Sequence, residues 1–177
     1  MTANFSTIPI ALQTANIPYP IRAVTQADLN ALQSDCWAHR SPENNQNTLH
    51  IALRAIEKKR GLGIVVEIDK KIVAYGQYLC LTHYAEISDL TVSEQYRSQG
   101  IGTAMIQCLI ASIRKTGHNL IEIGVAESNP RALALYEKIG FQISYNLNLN
   151  LGNGQEKVIY LRLKLPQKIA LNTKDES

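Results

Sequence analysis

Residues 90–103, LTVSEQYRSQGIGT, constrain the fold most, because an apolar strand candidate runs through a glycine-containing turn into a long amphipathic helix. Residues 100–115 carry Ile101, Ala104, Met105, Cys108, Leu109 and Ile113 at helical spacing, so one face of this helix must be buried against a sheet. The first N–H groups of such a helix have no intrahelical acceptor and point outward with partial positive charge. Gly100 and Gly102 let an anion approach that backbone without meeting a side chain, and Arg97 adds a full positive charge. The build is one for holding a phosphate. It is not a Walker loop, which needs four residues between its glycines and a following Lys-Ser/Thr, nor a dinucleotide fingerprint, which would need a third glycine where Met105 stands.

A second helix start follows. Residues 120–126 form an apolar strand candidate, then Asn129 supplies an N-cap, Pro130 a favoured first helical residue and Gly140 a C-cap. Asn129, Ala132 and Tyr136 share one side of that helix.

Around these segments the pattern predicts a short strand at 21–24, a helix at 26–36 capped by Thr25, a polar loop at 37–47 containing Pro42, and a helix at 48–60 stopped by Gly61. A hairpin at 63–68 and 71–81 turns on Asp69-Lys70, a strand spans 84–92, and a last hairpin spans 141–150 and 156–165 across Gly152-Asn153-Gly154. The order is β-α-α-β-β-β-α-β-α-β-β, which gives a mixed α/β sheet with helices on both faces. The 177 residues suit one domain over 21–165, with an irregular arm at 1–20 and a flexible tail at 166–177.

Composition narrows the function classes. The net charge of +3 reflects 18 basic against 15 acidic residues, and the one basic run ends a predicted helix, where it complements the dipole rather than marking a nucleic-acid surface. Cys36, Cys80 and Cys108 are odd in number and widely spaced, so neither a disulfide framework nor a zinc site is expected, and a cytoplasmic setting fits. No run of 18 apolar residues and no basic-then-apolar leader is visible, so neither membrane spanning nor secretion is expected.

The pattern Arg97-x-x-Gly100-x-Gly102 between strand and helix resembles the cofactor-binding motif of the GNAT superfamily, the N-acetyltransferases that use acetyl-coenzyme A (acetyl-CoA). Asn129-x-x-Ala132-x-x-x-Tyr136-x-x-x-Gly140-Phe141 is similar to that family's second signature, and the two together cover about a third of the chain. The resemblance implies a mostly antiparallel central sheet of about seven strands flanked by about four helices. It implies that main-chain N–H groups of Arg97, Ser98, Gln99, Gly100, Ile101, Gly102 and Thr103 hold the cofactor pyrophosphate. Leu90, Thr91 and Val92, opened by a bulge, would pair with the pantetheine arm, and the Val92 N–H would polarise the thioester carbonyl. Asn129 and Ala132 would border the cofactor arm, and Tyr136 would return a proton to the departing thiolate.

An ammonium acceptor must lose a proton before it attacks, and Glu86 lies where the histone acetyltransferase branch carries its glutamate base. Asp89, ordered water and His83 are the rivals; strict alternation would put Glu86, Ser88 and Leu90 on one face and Ile87, Asp89 and Thr91 on the other, unless a bulge reverses it. Trp37, His39 and Glu43 are candidates to line an acceptor site. Implied partners are acetyl-CoA and an amine of a small molecule or protein, with no nucleic acid, membrane or metal, and with apolar final strands on which two copies could pair. A non-catalytic acyl-CoA sensor would use the same phosphate loop without Glu86 or Tyr136.

Overall fold

The computed structural model describes residues 19–150 and 154–166. Nearly all of the expected arm at 1–20 and of the tail at 166–177, and the turn residues Gly152 and Asn153, lie outside that description. Strands β1 (Ile21–Ala23), β2 (Gly61–Ile68), β3 (Lys71–Cys80), β4 (Ala85–Val92), β5 (Leu120–Ala126), β6 (Gln142–Asn150) and β7 (Gln155–Lys164) form one sheet in the order β1-β2-β3-β4-β5-β7-β6. All neighbours are antiparallel except β4 and β5. The helices are α2 (Pro42–Glu57), α3 (Ile101–Ile113) and α4 (Pro130–Ile139), preceded by a helical segment α1 that is 3-10 over Gln26–Asp28, α over Leu29–Ala31 and π over Leu32–Cys36.

Strands β2 and β3 read as near-continuous apolar runs because both faces are covered. On one face α3 packs Ile101, Met105, Leu109 and Ile113 against Ile64, Ile87, Ile121 and Ile123. On the other, α1 and α2 bury Leu32, Trp37, Leu49 and Ala52 against Val65 and Tyr75. Arg22 on β1 ties this second layer down through Asp28 and Glu67, both at 2.8 Å, while Asp28 also accepts from the Thr25 backbone N–H in a capping box.

Two expectations are corrected. The segment at 37–47 is not all loop: α2 starts at Pro42, because the Ser41 side chain accepts from the Asn44 N–H and proline at the first helical position has no N–H to lose. Trp37 does not line a site; it is 1% exposed and meets the Tyr75 ring edge-on at 4.7 Å.

The feature that shapes the site is a split in the sheet. Parallel pairing of β4 with β5 covers only Ala85↔Ile121, Glu86↔Glu122 and Ile87↔Ile123, after which β4 stays with β3 while β5 stays with β7. A bulge lies just beyond the split: Tyr75 faces Thr91 and Gln77 faces Ser88, so Asp89 and Leu90 together oppose Gly76. Asp89 takes a left-handed φ of 54°. A Cβ on Gly76 would come within 2.6 Å of the Leu90 side chain, so the glycine makes the room through which Leu90 turns toward α3.

Candidate active site

A groove of about 600 Å³ opens where β4 and β5 part, between the end of β4, the N-terminus of α3 and α4. Of the residues named from the sequence, Leu90, Thr91, Val92, Arg97, Ser98, Gly100, Ile101, Gly102, Thr103, Asn129, Ala132 and Tyr136 line it. Gln99 does not: its carbonyl accepts from the Tyr19 hydroxyl, and its side-chain amide donates to the Gln95 carbonyl at 3.2 Å.

The loop before α3 reverses direction through left-handed backbone at Ser98 (φ 66°) and at Gly100 (φ 85°), the residue that caps the helix. Among the described residues, the N–H groups of Ser98, Gln99, Gly100, Ile101, Gly102 and Thr103 meet no acceptor; the first bond of the turn is Ala104 N–H to the Gly100 carbonyl at 3.0 Å. An added Cβ would meet nothing within 4 Å at Gly100, and only Leu135 at 3.6 Å and Val92 at 4.0 Å at Gly102. Free donors, open space at Gly100, an uncrowded Gly102 and the α3 dipole make a cradle that fits a pyrophosphate. Arg97 anchors the loop by donating from Nε to the Val92 carbonyl at 3.0 Å, and Arg131 on α4 closes the far side by donating to the Ser98 hydroxyl.

On α4, the Asn129 side chain caps the helix by accepting from the Ala132 N–H at 3.1 Å. Tyr136 is 7% exposed, packs against Phe141 at 6.2 Å between ring centroids, and its hydroxyl has no partner among the described residues. Burial pushes this phenol up to about 12, so it holds its proton at neutral pH.

Glu86 stands at the mouth of the split. Burial, and then the carboxylates of Glu122 and Asp89, raise its pKa above the usual range, and no described residue pairs with it. The expected alternation fails at the bulge. Asp89 lies on the Glu86 side, where it accepts from Gln77 at 3.0 Å and from Arg40 at 3.1 Å, whereas Leu90 crosses to the α3 face. Asp89 is thus spoken for, and Gln77 is held in turn by the Tyr75 hydroxyl at 2.8 Å. Cys36 and Cys108 are thiols pushed up to about 11 and about 12, chiefly by burial, and neither is a nucleophile in waiting. His83 is exposed on the turn before β4.

Several site residues were not assigned from the sequence. Tyr96, Arg131 and Leu135 line the groove. Glu122, Tyr145, Tyr160 and Arg162 form a cluster beside Glu86, with Glu122 accepting from Arg162 Nε at 2.8 Å and from the Tyr145 hydroxyl at 2.9 Å.

The sequence matches the profile of the family described as Acetyltransferase (GNAT) family over residues 26–141. The chain belongs to that family. It is 30% identical over 83 residues to the [Ribosomal protein bS18]-alanine N-acetyltransferase of Escherichia coli, a match covering 47% of this chain and 56% of that protein. The chain spans about half, or less, of the length of the curated relatives it matches. The crystal structure of the ribosomal-protein-S18-alanine N-acetyltransferase from Escherichia coli superposes with a TM-score of 0.68 at 23% identity, covering 86% of this chain and 97% of that one. The Salmonella typhimurium protein yncA, solved with acetyl-CoA, superposes with a TM-score of 0.70 at 17% identity, covering 87% and 98%. These likenesses establish the GNAT fold: seven mostly antiparallel strands with four helices. No described helix is long and apolar enough to cross a membrane.

Proposed function

We propose that this GNAT chain is an acetyl-CoA-dependent N-acetyltransferase that moves an acetyl group directly to a primary amine of a small molecule or protein. The observation that carries the reading is the groove, in which unpaired loop N–H groups, the free edge of β4 and the buried Tyr136 hydroxyl line one channel. Family membership points the same way.

Acetyl-CoA supplies the thioester. The N–H groups of Ser98 and of residues 100–103 hold its pyrophosphate, and Leu90, Thr91 and Val92 offer the backbone along which its arm lies. Glu86 receives the proton that the ammonium must lose. It stands four residues before Leu90, up to ~13 Å of strand, so the proton travels through water. As the new C–N bond forms and the C–S bond breaks, Tyr136 gives its proton to the sulfur, the nitrogen sheds its second proton to water, and Tyr136 recovers one from solvent. A raised carboxyl without a partner and a buried phenol without a partner have no use in a sensor that merely binds the cofactor, which favours the enzyme.

Calorimetric titration with acetyl-CoA, followed by a thiol-release screen across amines, tests the reading. Micromolar binding with acceptor-dependent release is expected. Binding without release from any amine would return the chain to the sensor reading, and absence of binding would remove the phosphate loop from both.

A further inference from the structure

Sheet register builds a second recognition surface beside Glu86. Glu86 faces Glu122 across β4 and β5, and Glu122 faces Arg162 across β5 and β7, so the three side chains form one row on one face. Glu122 is 2% exposed and fully engaged by Arg162 and Tyr145. Glu122 is thus already paired within the row, and Glu86 is the member without a partner among the described residues.

Arg162 has capacity left over. It spends Nε on Glu122 and lays its guanidinium over the Tyr145 ring at 5.3 Å, while its two terminal amino groups have no partner among the described residues. Its side chain is 40% exposed. The floor beside the row is aromatic: Tyr145 and Tyr160 stack at 4.7 Å, and Tyr160 lies across Gly124, where a Cβ would come within 3.2 Å of the ring. Tyr84 borders the same charges.

We infer that Arg162 is a specificity-determining residue that selects, as acetyl acceptor, an α-amine with a carbonyl or carboxylate beside it. This rests on the acetyltransferase reading above. Two strand spacings separate the Glu86 and Arg162 backbones by about 10 Å, enough for an α-amine that reaches Glu86 through water and a neighbouring oxygen that Arg162 meets at hydrogen-bond length. A polyamine would bring a second cation against Arg162 with no carboxylate left to meet it. A peptide N-terminus and a free amino acid share the selected chemistry.

The test compares kcat/KM at saturating acetyl-CoA for alanine, an alanine-first tetrapeptide amide, propylamine and spermidine. Wild type is expected to prefer at least one α-amino acceptor to propylamine by about 10-fold or more, since a site built to bond an oxygen rejects the analogue lacking it. Alanine and the peptide tell the two sources apart. Removing Arg162 alone strands the buried Glu122, so the variant is the double E122Q/R162Q, with R162K as the second; calorimetric binding of acetyl-CoA certifies each fold. The α-amino preference should fall to within about 3-fold in E122Q/R162Q and be partly kept in R162K. Preference for spermidine or propylamine, or a preference unmoved in both variants, overturns the inference while leaving the acetyltransferase reading standing. Acetyl-CoA binding without release from any of the four overturns the inference alone, and loss of acetyl-CoA binding in wild type overturns both.

Discussion

The two loop glycines should respond to the same substitution with opposite thermal signs and the same functional loss. Gly102 is helical, the second residue of α3, and an alanine Cβ there would rest at 3.6 Å from Leu135 and 4.0 Å from Val92, ordinary contact distances. Gly102→Ala should therefore stabilise by up to about 0.5–1 kcal/mol through helix propensity, or about 1–4 °C in a domain of this size. Gly100 sits at φ 85° with nothing within 4 Å of an added Cβ, so Gly100→Ala meets no clash and loses only the left-handed backbone preference. That costs about 1–2 kcal/mol, or about 2–8 °C. Both residues line the groove, where an added methyl group should hold an anion away from the loop. Forfeiting one charge-assisted hydrogen bond of about 1.5–3 kcal/mol weakens acetyl-CoA by about 10- to 100-fold in each variant. Calorimetric titration and thermal melts on the same samples check both numbers. A Gly102→Ala protein that melts higher and binds acetyl-CoA with unchanged Kd would refute the assignment of the loop to the pyrophosphate.

Tyr136→Phe keeps the packing against Phe141 and should lower kcat by about 10- to 1000-fold with little change in acetyl-CoA affinity; unchanged turnover removes the phenol from the mechanism. Glu86 has a raised pKa in the folded state, so it stabilises relative to an ordinary carboxyl only while protonated, and that advantage is lost as pH rises through the folded value. Glu86→Gln should accordingly gain more melting temperature over wild type at pH 7 than at pH 4, and should abolish the rising acid limb of kcat/KM; an intact limb assigns the base elsewhere. Arg40→Ala breaks the ion pair to Asp89 and the bond to Thr48, and with both ionic partners roughly a third exposed the cost should be about 1 kcal/mol, or about 2–4 °C. Adding Asp89→Gly should recover part of that loss, because glycine takes a φ of 54° freely; a further fall in melting temperature would show that the bulge is held by other means.

Local signals were legible and long-range register was not. The helix starts at Asn129 and Gly100 were readable because capping and left-handed backbone are properties of a few adjacent residues. The start of α2 was missed for a local reason: Pro42 reads as a breaker unless Ser41 before it is weighed as the cap. The facing of Asp89 depended on a bulge whose sequence mark, Gly76, lies on the neighbouring strand. Arg162 and Glu122 are 40 residues apart and meet only through pairing of β5 with β7, so no motif joins them. Trp37 lies in polar sequence yet is buried, because the helices around it close over Tyr75.

On the proposed function, the split between β4 and β5 would let these separate features serve one reaction. Beyond Ile87 the strand edge that would have bonded β5 is left open, and unpaired backbone groups in a half-buried groove are costly unless something bonds them. An extended ligand bearing amides recovers that cost, which is why the opening suits a pantetheine arm. The Asp89 bulge turns Leu90 away to the α3 side while keeping Asp89 with Arg40 and Gln77, so the strand is apolar toward the groove and polar toward Glu86. The one discontinuity thus has two differently built sides: a phosphate cradle and buried phenol toward α3 and α4, and a carboxylate row toward β7. A thioester entering from the first side and an amine from the second would meet at the gap. Closing that gap with two further β4–β5 pairs would abolish transfer even with every side chain in place.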